Sequence, residues 1–180
     1  AGHHNTAQWA LADLGVAFLH LGQLDDARTC FDRAGATSED VGDGAGEVLA
    51  AYGRAVMARV EGEWAQARAL FARAKEGFEE LGTPVAAGLA IVGLARCDEQ
   101  DGDLDRARDG YDRALSLGSA AGEPGLRASA LEGLGRVAAA SGDPAGALVL
   151  VRQARSVRES SARPAAPYER AELAEAAGPG

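Results

Sequence analysis

The sequence has few cysteines, few aromatic residues and no apolar run long enough to span a membrane. Cys30 and Cys97 are too few for a disulfide framework, so we expect two buried thiols in a reducing compartment, the cytoplasm. The longest uncharged runs, such as residues 83–94, contain proline and glycine and fall short of the ~20 apolar residues that a spanning helix needs. No membrane partner is therefore expected.

Basic side chains are also scarce. There are 18 Lys and Arg residues against 27 Asp and Glu, which gives a net charge of −9. Such a charge repels phosphate backbones, so we expect no direct nucleic-acid partner. Hydrophobic residues are abundant, at 47%, and a chain of this length can bury roughly 70% of its unfolded surface. The composition predicts a globular protein that needs neither disulfides nor a structural metal.

Glycine recurs with a period of 40 residues in two columns, a sign of internal repeats. The columns are Gly22, Gly62, Gly102, Gly142 and Gly2, Gly42, Gly82, Gly122. An apolar column follows the same period and consists of Phe31, Phe71, Tyr111 and Val151. The spacing predicts four repeats, at about residues 1–41, 42–81, 82–121 and 122–160.

Each repeat divides at its central glycine into two segments with apolar residues at helical spacing. The predicted helices are 6–20, 24–35, 45–60, 64–81, 84–100, 104–120, 124–140 and 144–159. Residues 37–46, rich in Gly, Asp and Ser, are predicted to form the longest internal loop. Residues 161–180 are predicted to form a Pro-rich turn and a short helix that starts at Pro167, carries Tyr168 and Leu173, and caps the last repeat. No strand is expected, so the predicted fold class is all-α.

The columns resemble the tetratricopeptide repeat. In the first unit the resemblance is carried by Leu11, Leu14, Gly15, Phe18, Ala27, Phe31 and Ala34. It implies a right-handed superhelical solenoid of four helix pairs plus a capping helix. Members of this family are non-catalytic interaction domains. The resemblance therefore implies a protein or peptide partner.

The 40-residue period is longer than the usual repeat of about 34 residues. With the sequence of residues 152–173, it resembles the C-terminal sensor region of bacterial signal-transducing ATPases and of LuxR-type or antibiotic-regulatory transcriptional regulators. This implies a domain of a larger bacterial regulator that binds a protein, a neighbouring domain of its parent or a small-molecule effector. The alternative is a stand-alone scaffold or oligomerisation module, acting as a homo-oligomer.

Catalytic and metal sites find little support. The acidic run at residues 98–105 lacks the glycine and glutamate positions of a calcium loop, and His3 and His4 lie at the chain terminus. A phosphate-binding loop follows a strand, whereas the glycines at 42–46 do not. Neither cysteine has a recognisable His or Asn partner. We therefore predict no enzyme activity, no metal and no cofactor.

The functional surface of stacked helix pairs is the concave face, which the first helix of each pair lines. Helical spacing assigns to it Trp9, Val16, His20, Tyr52, Val56, Arg59, Val92, Arg96, Glu99, Glu132 and Arg136. Two other interpretations stay open. The aromatic residues and valines could be ordinary helix packing, and Arg96–Glu99 and Glu132–Arg136 could be ion pairs on exposed helix faces.

Overall fold

A computed structural model describes residues 6–161 and residues 165, 167, 169 and 170, without the side chains of Thr6, Trp9 and His20. Within these residues the chain is helical and contains no strand, which confirms the all-α prediction. The eight helices are α1 (Thr6–Leu21), α2 (Leu24–Val41), α3 (Gly44–Val60), α4 (Trp64–Glu80), α5 (Pro84–Gln100), α6 (Leu104–Ala121), α7 (Pro124–Ala140) and α8 (Pro144–Ser161).

The turns between the helices explain the glycine columns. Every described member of the two columns, from Gly22 to Gly142, has a positive φ between 65° and 83°. At Gly42 the φ is 66°, and the N–H of the following Asp43 donates to the Ser38 carbonyl at 2.9 Å. This left-handed residue followed by a backward hydrogen bond closes a helix in a way that favours glycine. The 40-residue period thus records where helices end.

The structure corrects the predicted loop at residues 37–46. Helix α2 continues to Val41, and only Gly42 and Asp43 separate it from α3. The buried stripe of α2, which is Ala27, Phe31, Ala34 and Ser38, extends into the polar segment at helical spacing. Packing of this stripe outweighs the low helix propensity of the local composition.

Several helices begin at a proline or after a capping side chain. Pro84, Pro124 and Pro144 are the first residues of their helices, where the missing proline N–H leaves no donor unpaired. The Asp143 side chain accepts a hydrogen bond from the Gly146 N–H at 2.9 Å, as an N-cap residue does.

Successive helices pack against one another, and the first helices of neighbouring pairs also touch, α1 with α3 and α5 with α7. Large side chains of the second helices lie against glycines of the next first helix. Phe71 is 1% exposed, and a Cβ at Gly93 would lie 2.5 Å from its ring. The same contact recurs in the pairs Phe31–Gly53 and Tyr111–Gly133. Each repeat is thereby locked to the next at close range.

Candidate functional site

The first helices of the pairs line a groove, which has a polar end and an apolar end. The polar end holds a cavity of about 60 Å³ lined by Tyr52, Val56, Arg59, Phe71, Leu89, Val92, Gly93, Arg96, Ser129, Glu132, Arg136 and Glu169. The apolar end holds a cavity of about 220 Å³ lined by Val16, Leu19, Leu49, Tyr52, Val56, Phe78, Ala86, Leu89 and Glu169. The two cavities share several residues, so we treat them as one groove.

Most of the residues predicted for the concave face meet in this groove. The polar end contains Tyr52, Val56, Arg59, Val92, Arg96, Glu132 and Arg136, and the apolar end contains Val16. Glu99 is buried beneath the polar end, where it accepts hydrogen bonds from Arg96 and Arg136. The side chains of Trp9 and His20 lie outside the described part of the chain. Helical spacing alone therefore collected side chains from all four repeats, while their role in binding stays a prediction.

A buried hydrogen-bond network joins α5, α6 and α7. The Glu99 carboxylate accepts from Arg96 Nη1 at 2.7 Å, from Arg136 Nε at 3.2 Å and from the Tyr111 hydroxyl at 3.0 Å. Arg136 Nη2 also donates to the Tyr111 hydroxyl oxygen at 3.0 Å. The network supports the polar end of the groove from below and fixes the positions of both arginines.

Within this network the pKa values of Tyr111 and Arg136 are shifted. Burial raises the pKa of Tyr111, against the opposing charge of Arg136. Burial by itself lowers the pKa of Arg136, but charge interactions and hydrogen bonds with Tyr111 and Glu99 outweigh it and raise the pKa. Arg136 therefore stays positively charged in the groove, and Tyr111 in the network beneath it stays a neutral phenol, across the physiological pH range.

Of the two ion pairs that the sequence allowed on exposed helix faces, Glu132–Arg136 is not formed, and Arg96–Glu99 is not exposed. Glu132 accepts from Arg158 Nε at 2.6 Å and Nη2 at 2.8 Å, while Arg136 turns to Glu99. The Arg96–Glu99 pair exists, but its side chains are only 18% and 7% exposed. Glu132 of α7 thus pairs with Arg158 of α8, and not with Arg136 of its own helix.

Arg158 was missed by the sequence analysis because it belongs to a second helix. A signal was present, since Arg158 occupies the column of Ser38, Phe78 and Gly118, all of which are buried. A charged residue in a buried column indicates a charged partner nearby. Here that partner is Glu132, and the pair clamps α7 to α8.

Glu169, from the segment after α8, lies in the groove and was also missed. It lines both cavities, with its carboxylate 3.6 Å from Arg158 Nη2 and 3.5 Å from Ser129 Oγ. Pro167, Glu169 and Arg170 are helical, while Tyr168 and Leu173 lie outside the described residues. That this segment caps the last repeat therefore stays a prediction.

Tyr52 lies where the polar and apolar ends meet. Its ring is 6.0 Å from that of Phe71 and 6.1 Å from that of Phe78, in edge-to-face geometry. Burial raises the pKa of Tyr52 to about 12. The nearby Arg59 opposes the shift and Glu169 adds to it. Tyr52 is thus a neutral aromatic contact between the charged and apolar parts of the groove.

The groove has the make-up of a binding surface. Among the described residues, no group of three His, Cys, Asp or Glu side chains is placed to hold a metal ion. No helix in the described part of the chain combines the length and apolarity needed to cross a membrane. Arginines and glutamates beside an apolar wall offer charge-assisted hydrogen bonds and hydrophobic contact to a ligand.

Comparison with known proteins finds a match for part of the sequence and for the fold. Residues 85–160 match the family model of the tetratricopeptide repeat. The structure is similar to BtubC (BKLC) from P. vanneervenii, with a TM-score of 0.66 and 20% identity over 88% of this chain and 65% of that one. This chain thus spans less than two thirds of the length of BtubC.

A second similar structure contains nearly identical TPR-like repeats from a Podosopora anserina protein assigned as a kinesin light chain. Its TM-score is 0.54 and its identity 13%, over 91% of this chain and 100% of that one. No curated protein matches the sequence significantly. Tetratricopeptide repeats generally serve as non-catalytic scaffolds for protein interaction. Residues 85–160 thus match the tetratricopeptide repeat, and the fold of the chain is similar to that of TPR-like repeats.

Proposed function

We propose that this domain is a non-catalytic interaction module that binds a segment of a partner protein in the groove. The observation that carries the proposal is the division of the groove. Val16, Leu49 and Leu89 form an apolar wall, and beside it three arginines outnumber two glutamates in a chain whose net charge is −9. A local positive site on an acidic protein favours a partner with negative charge.

The division of the groove into two connected cavities, of about 60 and about 220 Å³, favours a protein segment over a small-molecule effector. Such cavities suit single side chains of a peptide that lies along the groove. Repeat solenoids use extended surfaces of this kind to bind other proteins.

The test compares two arginine substitutions in the full chain. Arg59→Ala removes a charge from the groove, and Arg108→Ala removes one from an exposed position on α6. Quantitative co-purification from the source cells should show at least tenfold less partner with Arg59→Ala and an unchanged amount with Arg108→Ala. Equal recovery with both variants, at equal thermal stability, would refute binding in the groove.

The finer proposal is that the domain belongs to a bacterial transcriptional regulator and works in the cytoplasm. Its support is the resemblance of residues 152–173 to the ends of such regulators, together with two free, buried cysteine thiols. An ATPase or winged-helix domain encoded in the same gene would support it. A gene that encodes only repeats would favour a scaffold.

One observation favours the scaffold or oligomerisation alternative. Helix α8 exposes Leu148, Val149 and Val151 by 51%, 53% and 43%, an apolar face of the kind found at protein interfaces. If this face joins copies of the chain, Val149→Glu should shift the sedimentation coefficient to that of a monomer. The matched change at the exposed Leu81, Leu81→Glu, should leave it unchanged.

A further inference from the structure

The tail segment, which is the chain after α8 and is described at residues 165, 167, 169 and 170, places the Glu169 carboxylate in the groove. Glu169 follows the last helix of the solenoid, yet it lines the groove together with Tyr52 from the second repeat. Pro167, two residues earlier, lies near Gly22 at the turn between α1 and α2, where a Cβ on Gly22 would be 3.5 Å from the proline ring. The segment therefore returns from the last repeat to the first and carries Glu169 into the groove.

The charges around Glu169 explain its position. The helices bring Arg59, Arg96, Arg136 and Arg158 to this region, against Glu99 and Glu132. Glu99 is bound by two of the arginines, and Glu132 by Arg158. Glu169 thus adds a third carboxylate to a group of four arginines, at a site of low exposure.

The surroundings of Glu169 also define what a ligand would contact. On one side its carboxylate lies near Arg158 and Ser129. On the other side, the apolar cavity is lined by Val16, Leu49 and Leu89. A peptide that places an acidic side chain at the position of Glu169 would have an apolar cavity within reach of a neighbouring side chain.

We propose that the groove selects an acidic peptide with an apolar side chain next to a carboxylate, and that Glu169 holds the place of that carboxylate in the unbound chain. This inference rests on the proposed function, because it names the partner chemistry and the regulation of the same groove. A partner must displace Glu169 before it binds, so the tail lowers the apparent affinity by the fraction of time it occupies the site.

The test uses the chain's own acidic segment as the probe. A fluorescein-labelled peptide with the sequence of residues 164–176 is titrated into the full chain, and anisotropy reports binding. The variant Glu169→Gln weakens the internal competitor and should bind the peptide about tenfold more tightly than the wild type. That ratio corresponds to ~1.4 kcal/mol, the scale of one charge-assisted hydrogen bond.

Two matched controls isolate the carboxylate. Glu159→Gln removes a charge from an exposed position on α8 and should leave peptide affinity at the wild-type value. A peptide with glutamine at the position of Glu169 should bind the Glu169→Gln chain at least tenfold more weakly than the parent peptide. The proposal is wrong if the wild type and Glu169→Gln bind the peptide equally, or if both peptides bind equally.

The outcome also separates this inference from the proposed function. If Arg59→Ala abolishes partner recovery while Glu169→Gln has no effect on the peptide, the groove stays the binding site and the tail is not its competitor. If the peptide responds to Glu169→Gln but partner recovery ignores Arg59→Ala, the internal contact stands and binding of a partner in the groove is refuted.

Discussion

At the residue scale, the contact between repeats depends on a ring set against a glycine. Phe71 is buried against Gly93, so Phe71→Ala should lower the free energy of unfolding by about 3–5 kcal/mol through lost burial and a cavity. Gly93→Ala should cost ~1–3 kcal/mol, because the added Cβ would overlap the ring. Urea denaturation measures both values.

Combining the two sites tests whether they act through each other. In the double variant Phe71→Leu and Gly93→Ala, the smaller side chain gives room to the new methyl group. The double variant should therefore lose less free energy of unfolding than the sum of the losses measured for Phe71→Leu alone and Gly93→Ala alone. Strict additivity would mean that the ring and the glycine do not share this space.

Arg136 gives the second prediction at this scale. Because it is 14% exposed and bound to Glu99 and Tyr111, Arg136→Gln should cost about 1–3 kcal/mol by leaving buried groups unpaired. Arg155 is also paired to a glutamate, Glu159, but it is 79% exposed, so Arg155→Gln should cost less than about 0.5 kcal/mol. Equal losses in thermal or urea unfolding would contradict the buried network.

The raised pKa of Tyr52 predicts sensitivity to alkali. The folded protein keeps this proton up to about pH 12, whereas an unfolded tyrosine loses it near pH ~10. The unfolded state therefore binds fewer protons between these values, and stability falls as the pH rises from about 10 to about 12. Tyr52→Phe should lose less stability than the wild type between pH 9 and pH 11.5 in urea titrations. Equal losses would show that Tyr52 ionises normally.

At the element scale, helices end where the backbone needs a left-handed residue. Gly42 has a φ of 66° and open space around its Cβ position, while Gly44, the first residue of α3, has equally open space without a positive φ. Gly42→Ala should therefore cost ~1–2 kcal/mol. Gly44→Ala should be neutral or should stabilise by about 0.4–1 kcal/mol. If both changes have the same effect on unfolding, the turn does not require glycine.

Element boundaries could be predicted from sequence wherever one local signal dominated. Gly82 with Pro84, for example, marks the turn before α5. The prediction was wrong at residues 37–41, where polar composition suggested a loop. There the decisive contact is the packing of α2 against α3, where Ser38 lies close to Gly46, and a local pattern does not contain that contact.

At the scale of the whole molecule, helical spacing predicted residues that one element presents to the groove, such as Val56 and Arg136. It could not predict Arg158 or Glu169, since their partners come from other repeats and depend on how the solenoid returns on itself. It also missed Gly53, Gly93 and Gly133, because their role appears only when the neighbouring repeat packs against them.

Cross-linking tests most directly whether the partner binds in the groove. A photo-cross-linking amino acid is placed in the full chain at Val92, which lines the groove, or at Asp112, which is exposed on α6. Illumination in the source cells, followed by mass spectrometry, should give a discrete partner adduct from position 92 that an excess of peptide 164–176 suppresses. Position 112 should give none. A discrete adduct from position 112 alone would show that the partner binds outside the groove.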